Sequence, residues 1–159
     1  GVHLDPAFIG NLHSELPDAK YLKLEDPPTP QKITRVIEAT NGTMGIFGGL
    51  GGAFLFEELR RGAIGTMTGF AYPEVLVAIH KYMASGEPER ARAIFYKWIP
   101  LIRYENSAGI SLAIRKEIMK RRGFTTTADV RPPSPPIDDS TREELDDLMN
   151  AMDLNFDNL

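Results

Sequence analysis

The stretch DAKYLKLEDPPTP, residues 18–30, sets a lysine between two leucines in what otherwise reads as a buried strand. Leu22 and Leu24 point one way while Tyr21, Lys23 and Glu25 point the other, the period of two that a strand imposes. A strand of about six residues follows. The alternation alone places Lys23 on the wet face of a half-covered sheet. In a closed parallel barrel the same face becomes an interior, with the leucines packed outward against helices. A lysine inside such a barrel is desolvated, which favours the neutral amine that a nucleophile needs. That amine can add to a ketone and lose water, forming an iminium that serves as an electron sink. The flanking sequence has to decide between the two.

Upstream, LDPAFIGNLHSEL (4–16) offers Asp5 as N-cap, Pro6 at the first helical position and an apolar stripe of Phe8, Ile9, Leu12 and Leu16, which predicts a helix ending before Pro17. Downstream, PPTPQKITRVIEATNG (27–42) predicts a second helix, capped by Thr29, with Ile33, Val36 and Ile37 as its stripe and Asn41-Gly42 as its stop. TMGIFGG (43–49) then reads as a strand, AFLFEELRRG (53–62) as a helix, AIGTMTG (63–69) as a strand and YPEVLVAIHKYMASG (72–86) as a helix. Strands and helices alternate with short connections, the pattern of a parallel sheet with helical crossovers. The fold class is therefore α/β, with about three parallel strands.

The pattern changes after Gly86. PERARAIFYKWIPLIRYEN (88–106), with a kink or break expected at Pro100, and AGISLAIRKEIMKRRG (108–123) are helical with no strand between them. VRPPSPPIDD (130–139) is a proline-rich extended connector, and DSTREELDDLMNAM (139–152) is a last helix, with Ser140 and Glu143 placed as a capping box. Residues 1–86 thus read as βα units and residues 87–159 as a helical C-terminal extension of the same domain. Three parallel strands leave two open edges and a bare face. A (β/α)8 barrel needs about 250 residues, so 159 residues could form only the latter part of one.

Composition narrows the chemistry. A net charge of −4 disfavours nucleic acid and anionic membranes as partners, and RKEIMKRRG (115–123), the one dense basic run, mixes both signs at helical spacing. No apolar run approaches the roughly 20 residues of a membrane span, and GVHLDPAF has neither the basic region nor the apolar core of a signal peptide. The chain has no cysteine, which excludes disulfides and thiolate sites and is compatible with a cytoplasmic location. His3, His13 and His80 lack metal-ligand spacing, so neither a metal nor another cofactor is expected. Glu57-Glu58 and Asp146-Asp147 read as solvated helix faces. Phe95, Trp98, Ile99, Leu101 and Ile102 crowd one helical segment, to be read first as core and second as a subunit interface.

YLKLED followed by a helix, then GIFGG, then a helix ending in RRGAIGTMTG, then YPEVLVAIHKYMASGEPERARAIFYKWIPLIR, resembles the latter half of the dihydrodipicolinate synthase/N-acetylneuraminate lyase family. The resemblance covers most of the chain. It implies a (β/α)8 barrel with extra C-terminal helices and pyruvate-type Schiff-base chemistry, with Lys23 as the imine-forming lysine of the sixth strand. It also implies that Gly48 and Gly49, in the turn after the seventh strand, and Met67, after the eighth, lie against a bound 2-oxo acid. A homo-oligomer and a missing N-terminal half of the barrel are implied as partners, because the family's carboxylate-binding loop and proton-relaying tyrosine would lie upstream of Gly1. Tyr21 sits on the lysine's own strand and does not take that tyrosine's role.

Where the synthases of the family commonly carry acidic residues after strand seven, this chain has GGLGG (48–52). The departure favours a 2-keto-3-deoxy sugar acid aldolase or dehydratase over dihydrodipicolinate synthase-type condensation. Two other readings stay open: a non-catalytic half-barrel that pairs with another chain, and an α/β domain that receives an anion on the backbone N–H groups of GGLGG.

Overall fold

Three short strands, β1 (Tyr21–Lys23), β2 (Gly45–Gly48) and β3 (Gly65–Thr66), pair in parallel in chain order. They belong to a computed structural model that describes residues 3–152 and Leu154. Gly1, Val2 and the remaining tail positions of the two segments expected from the sequence lie outside the described residues. The register sets Tyr21 beside Gly45, Lys23 beside Phe47, and Phe47 in turn beside Gly65. β1 is shorter than the six residues expected, because it has one hydrogen-bonding neighbour and its ladder ends where Leu24 N–H meets the Phe47 carbonyl.

Helices α1 (Pro6–Glu15) and α2 (Thr29–Ala39) pack on one face of the β1–β2 pair, and α3 (Leu55–Arg60) connects β2 to β3. Asp5 caps α1 by accepting the Ala7 N–H, with Pro6 at the first helical position, as its sequence predicts. α2 corrects its expectation. It begins one residue early, with Pro28 at the cap position, and the Thr29 hydroxyl is spent on another partner. Ile9, Ile33 and Val36 close over Leu24, Met44, Ile46 and Ala63, so one face of the sheet is a dry layer. The opposite face carries Tyr21, Lys23 and Phe47, and Tyr21 is 68% exposed. Leu24 therefore packs towards the helices while Lys23 points away from them.

The larger core lies among α3, α4 (Pro73–Ala84), α5 (Pro88–Glu105), α6 (Ser111–Arg121) and α7 (Asp139–Ala151). Phe95, Trp98, Leu101 and Ile102 are all buried in it and Ile99 packs against it, which selects the core reading for this aromatic segment. The Trp98 ring lies 4.9 Å from that of Tyr72 and meets Phe70 edge-on. α5 runs as one continuous helix through Pro100, so of the kink or break expected there the break does not occur. Trp98, Leu101 and Ile102 are fully buried on both sides of the proline, and that packing outweighs one lost backbone hydrogen bond. α7 also differs from expectation: Asp138, not Ser140, is its N-cap and accepts the Thr141 N–H at 2.8 Å.

Trp98 is the largest fully buried side chain. Trp98→Ala is expected to cost about 3–5 kcal/mol in urea unfolding, with a fall in the midpoint, whereas Tyr96→Ala, at a half-exposed site two residues earlier, should cost clearly less.

Candidate active site

The residues singled out in the sequence converge on the C-terminal ends of the strands. Lys23 closes β1, Gly48 closes β2, and Met67 follows β3 with its N–H donated to the Gly48 carbonyl at 3.0 Å. Parallel pairing makes this convergence unavoidable, since strand ends of one sense lie at one edge of the sheet. The Lys23 side chain is 40% exposed, and its Nζ lies 3.3 Å from Glu25 Oε2.

Glu25 is a residue that sequence reasoning placed only on a strand. Its Oε1 accepts the Leu50 N–H at 3.0 Å, across the gap between the end of β1 and the turn after β2. That hydrogen bond, aided by the neighbouring Lys23, holds the Glu25 carboxyl below the usual range, so it stays ionised. A Cβ at Gly49 would collide with the Glu25 carboxyl. The second glycine of GGLGG is thus a seat for a carboxylate.

Gly48 is a seat for another, on the other face. A Cβ there would collide with the Glu58 carboxyl. Glu58, read in the sequence as part of a solvated helix face, is fully buried; α3 turns it under the end of β2, where Oε1 accepts the Thr29 hydroxyl at 2.5 Å. Burial pushes its carboxyl above the usual range, opposed by the Thr29 hydrogen bond. Two carboxyl groups therefore enclose Gly48-Gly49, one ionised and one favouring its neutral form. Sequence spacing held a signal for this pairing, since only a residue without a side chain fits where another chain segment's carboxyl already lies.

Part of the N–H array that an anion would use is already engaged. The N–H of Leu50 is taken by Glu25, and those of Gly52 and Ala53 by the carbonyls of Gly49 and Leu50. Leu50 and Gly51 both take positive φ, 48° and 68°, to make the turn, a conformation that suits glycine and strains leucine. Among the described residues no His, Asp and Glu side chains gather into a metal-binding group, and no helix is long and apolar enough to cross a membrane. His80 donates to the Ile64 carbonyl, a satisfied histidine as its helix position suggests.

Titration of Glu58 yields a test. A carboxyl whose folded value is raised gives stability that is complete below the unfolded value, 4.5, and lost as pH rises through the folded one. Glu105, also raised by burial, acts with the same sign. Between pH 5 and pH 8, above the range where the lowered carboxyls such as Glu25 act with the opposite sign, urea midpoints of Glu58→Gln should fall less steeply than those of the wild type and pass above them at the upper end. Parallel profiles would mean that folding does not raise the Glu58 carboxyl.

Residues 1–152 match the model of the dihydrodipicolinate synthetase family. The chain is 29% identical over 155 residues to the L-2-keto-3-deoxyarabonate dehydratase of Azospirillum brasilense, a match that takes in 96% of this chain and 50% of that protein. The dihydrodipicolinate synthase of Rhodopseudomonas palustris superposes with a TM-score of 0.85 at 34% identity, over 92% of this chain and 50% of the other. A prophage protein of the dihydrodipicolinic acid synthase family from E. coli K12, solved in complex with pyruvate, superposes with a TM-score of 0.83 at 20% identity, over 96% and 52% of the two chains; at that identity the likeness is one of fold. The chain spans about half the length of the relatives it matches.

Proposed function

The chain belongs to the dihydrodipicolinate synthetase family, and from that premise we propose that it supplies the Schiff-base half of a (β/α)8 lyase acting on a 2-oxo acid. The observation that carries this reading is the direction of Lys23. It ends a parallel strand and points away from the helical layer, where a closed barrel has its interior. In the proposed mechanism, Lys23 Nζ attacks the C2 carbonyl carbon, and loss of that oxygen as water leaves an iminium. The iminium withdraws electrons from C3, so a C3 proton is lost to a base and an enamine forms. In a 2-keto-3-deoxy sugar acid the enamine then expels the C4 hydroxyl, which leaves as water once protonated. Glu25, paired with Lys23, is the carboxylate nearest to these events.

A 2-keto-3-deoxy sugar acid dehydratase is the reading we favour, because the turn after β2 carries glycines and the dehydratase of Azospirillum brasilense matches nearly the whole chain. Gly48, Gly49 and Met67 would shape the pocket through backbone. Dihydrodipicolinate synthase-type condensation is the second reading, supported by the 34% identity to the Rhodopseudomonas palustris enzyme. As 159 residues alone, the chain is proposed to be inactive: three strands leave the interior open, and the remaining groups come from an upstream half. A non-catalytic half-barrel would show no imine even when completed.

Borohydride reduction in the presence of pyruvate, followed by peptide mass mapping, tests the proposal on the protein completed with its upstream half. The expected result is a stable adduct on Lys23, lost in Lys23→Arg, with turnover of a 2-keto-3-deoxy sugar acid reduced at least about 10³-fold in that variant. An active protein with no adduct at Lys23 would overturn the mechanism.

A further inference from the structure

The end of α5 reaches the mouth of the sheet, although α5 needs only its apolar face to build the core. Its last residue, Glu105, and the next, Asn106, grip different turns. Asn106 Nδ2 donates to the Leu50 carbonyl at 3.0 Å, and a Cβ at Gly51 would strike the Asn106 side chain. Leu50 is therefore held from two sides, its N–H by Glu25 on the strand of Lys23 and its carbonyl by Asn106 from the helical extension. The positive φ of Leu50 is a conformation that leucine does not keep without such support.

Glu105 is buried, its Oε2 accepting the Ala71 N–H at 2.8 Å and its Oε1 the Arg115 Nε–H at 2.6 Å. The Arg115 guanidinium in turn fills the space that a Cβ at Gly69 would need, and Arg122 donates to the Ala71 carbonyl while pairing with Glu74. A carboxylate in this place costs desolvation that an apolar residue would avoid. What it supplies is a fixed path for Gly69–Ala71, the segment beyond β3.

We propose that Glu105 and Asn106 are positioning residues of the active site, setting the turns after β2 and β3 against the distal part of a substrate held on Lys23. The proposal rests on the Schiff-base reading above. Lys23 is the last residue of β1, whereas Leu50 and Gly69–Ala71 lie two or more residues past the ends of β2 and β3. A three-carbon 2-oxo acid on Lys23 ends near the depth of the lysine; the carbons beyond C3 of a longer sugar acid continue outward to the turns. Loosening the Leu50 turn then acts on the longer substrate and spares imine formation with pyruvate.

Asn106→Asp tests this in the protein completed with its upstream half. The variant keeps the shape of the side chain but loses the N–H group that reaches Leu50, at an exposed position, and Asn106→Ala, which adds no charge at the helix C-terminus, should show the same effects. The KM for a five- or six-carbon 2-keto-3-deoxy sugar acid should rise about tenfold, the effect of one lost hydrogen bond, with kcat within about twofold. Borohydride trapping of pyruvate should keep its wild-type concentration dependence, and the amides of Leu50–Ala53 should exchange faster with deuterium. Glu105→Gln should speed exchange at Ala71 in the same way. An unchanged KM together with unchanged exchange overturns the proposal, as does a parallel loss of pyruvate trapping and turnover, which marks a general structural role. Failure of the wild-type protein to trap pyruvate defeats the Schiff-base reading instead, and the exchange rates then decide separately whether Asn106 and Glu105 hold the turns.

Discussion

A strand in the middle of a parallel sheet has both edges satisfied; a strand at its margin has only one. In this chain β2 alone enjoys the first condition. Its Ile46 and Gly48 carbonyls accept N–H groups from Ile64 and Met67 on the β3 side, its Phe47 carbonyl accepts the Leu24 N–H on the β1 side, and its Gly45 N–H donates to Lys20. Among the described residues β1 and β3 are each paired on one side only, and the face that bears Tyr21, Lys23 and Phe47 leaves Tyr21 largely exposed. The family's barrel architecture resolves all three exposures together, since closure removes edges and converts the bare face into a packed interior. The three strands make fewer than half of an eight-stranded barrel, and the chain spans about half the length of the relatives it matches. Phe8 and Leu12 on α1 and Leu16 just past its end also leave apolar side chains exposed.

What the chain does complete by itself is the support of its strand ends. Each glycine of the Gly48-Gly49 pair gives way to a carboxyl from another element, Glu58 on the helical side and Glu25 on the open side. Opposite environments push the two carboxyls in opposite directions, Glu25 below the usual carboxylate range and Glu58 above it. The C-terminal helices contribute at the same edge. α5 and α6 are thus at once a second core and a brace for the turns, which explains why the largest apolar cluster of the molecule lies outside the sheet layer.

Much of this was legible in the sequence, and the rest was hidden for physical reasons. Alternation in YLKLE and the capping of α1 by Asp5 are local effects, decided within a few residues, and the structure agrees with them. The order of strands and helices, with their short connections, was enough for parallel α/β architecture. The direction in which Lys23 points was not decided by alternation, which gives two faces without saying which is covered; the family resemblance supplied that. The misses are non-local. Thr29 looks like a cap until Glu58 arrives from 29 residues away to take its hydroxyl. Glu58 looks solvated beside Glu57 because the sequence does not reveal that α3 buries one of the two. Pro100 reads as a break until the packing of Trp98, Leu101 and Ile102 is counted. Glu105 and Asn106 carried no signal beyond their position at the end of a helix.

The central claim is that the face carrying Lys23 is an interior awaiting its other half. Backbone amide exchange along the outer edges of Tyr21–Lys23 and Gly65–Thr66, compared between the chain alone and the chain completed with its upstream half, tests it most directly. The account predicts strong protection at both edges upon completion, with Lys23 losing reactivity towards a bulky amine reagent in the same step. Edges that exchange equally fast in both forms, with Lys23 equally reactive, would contradict it.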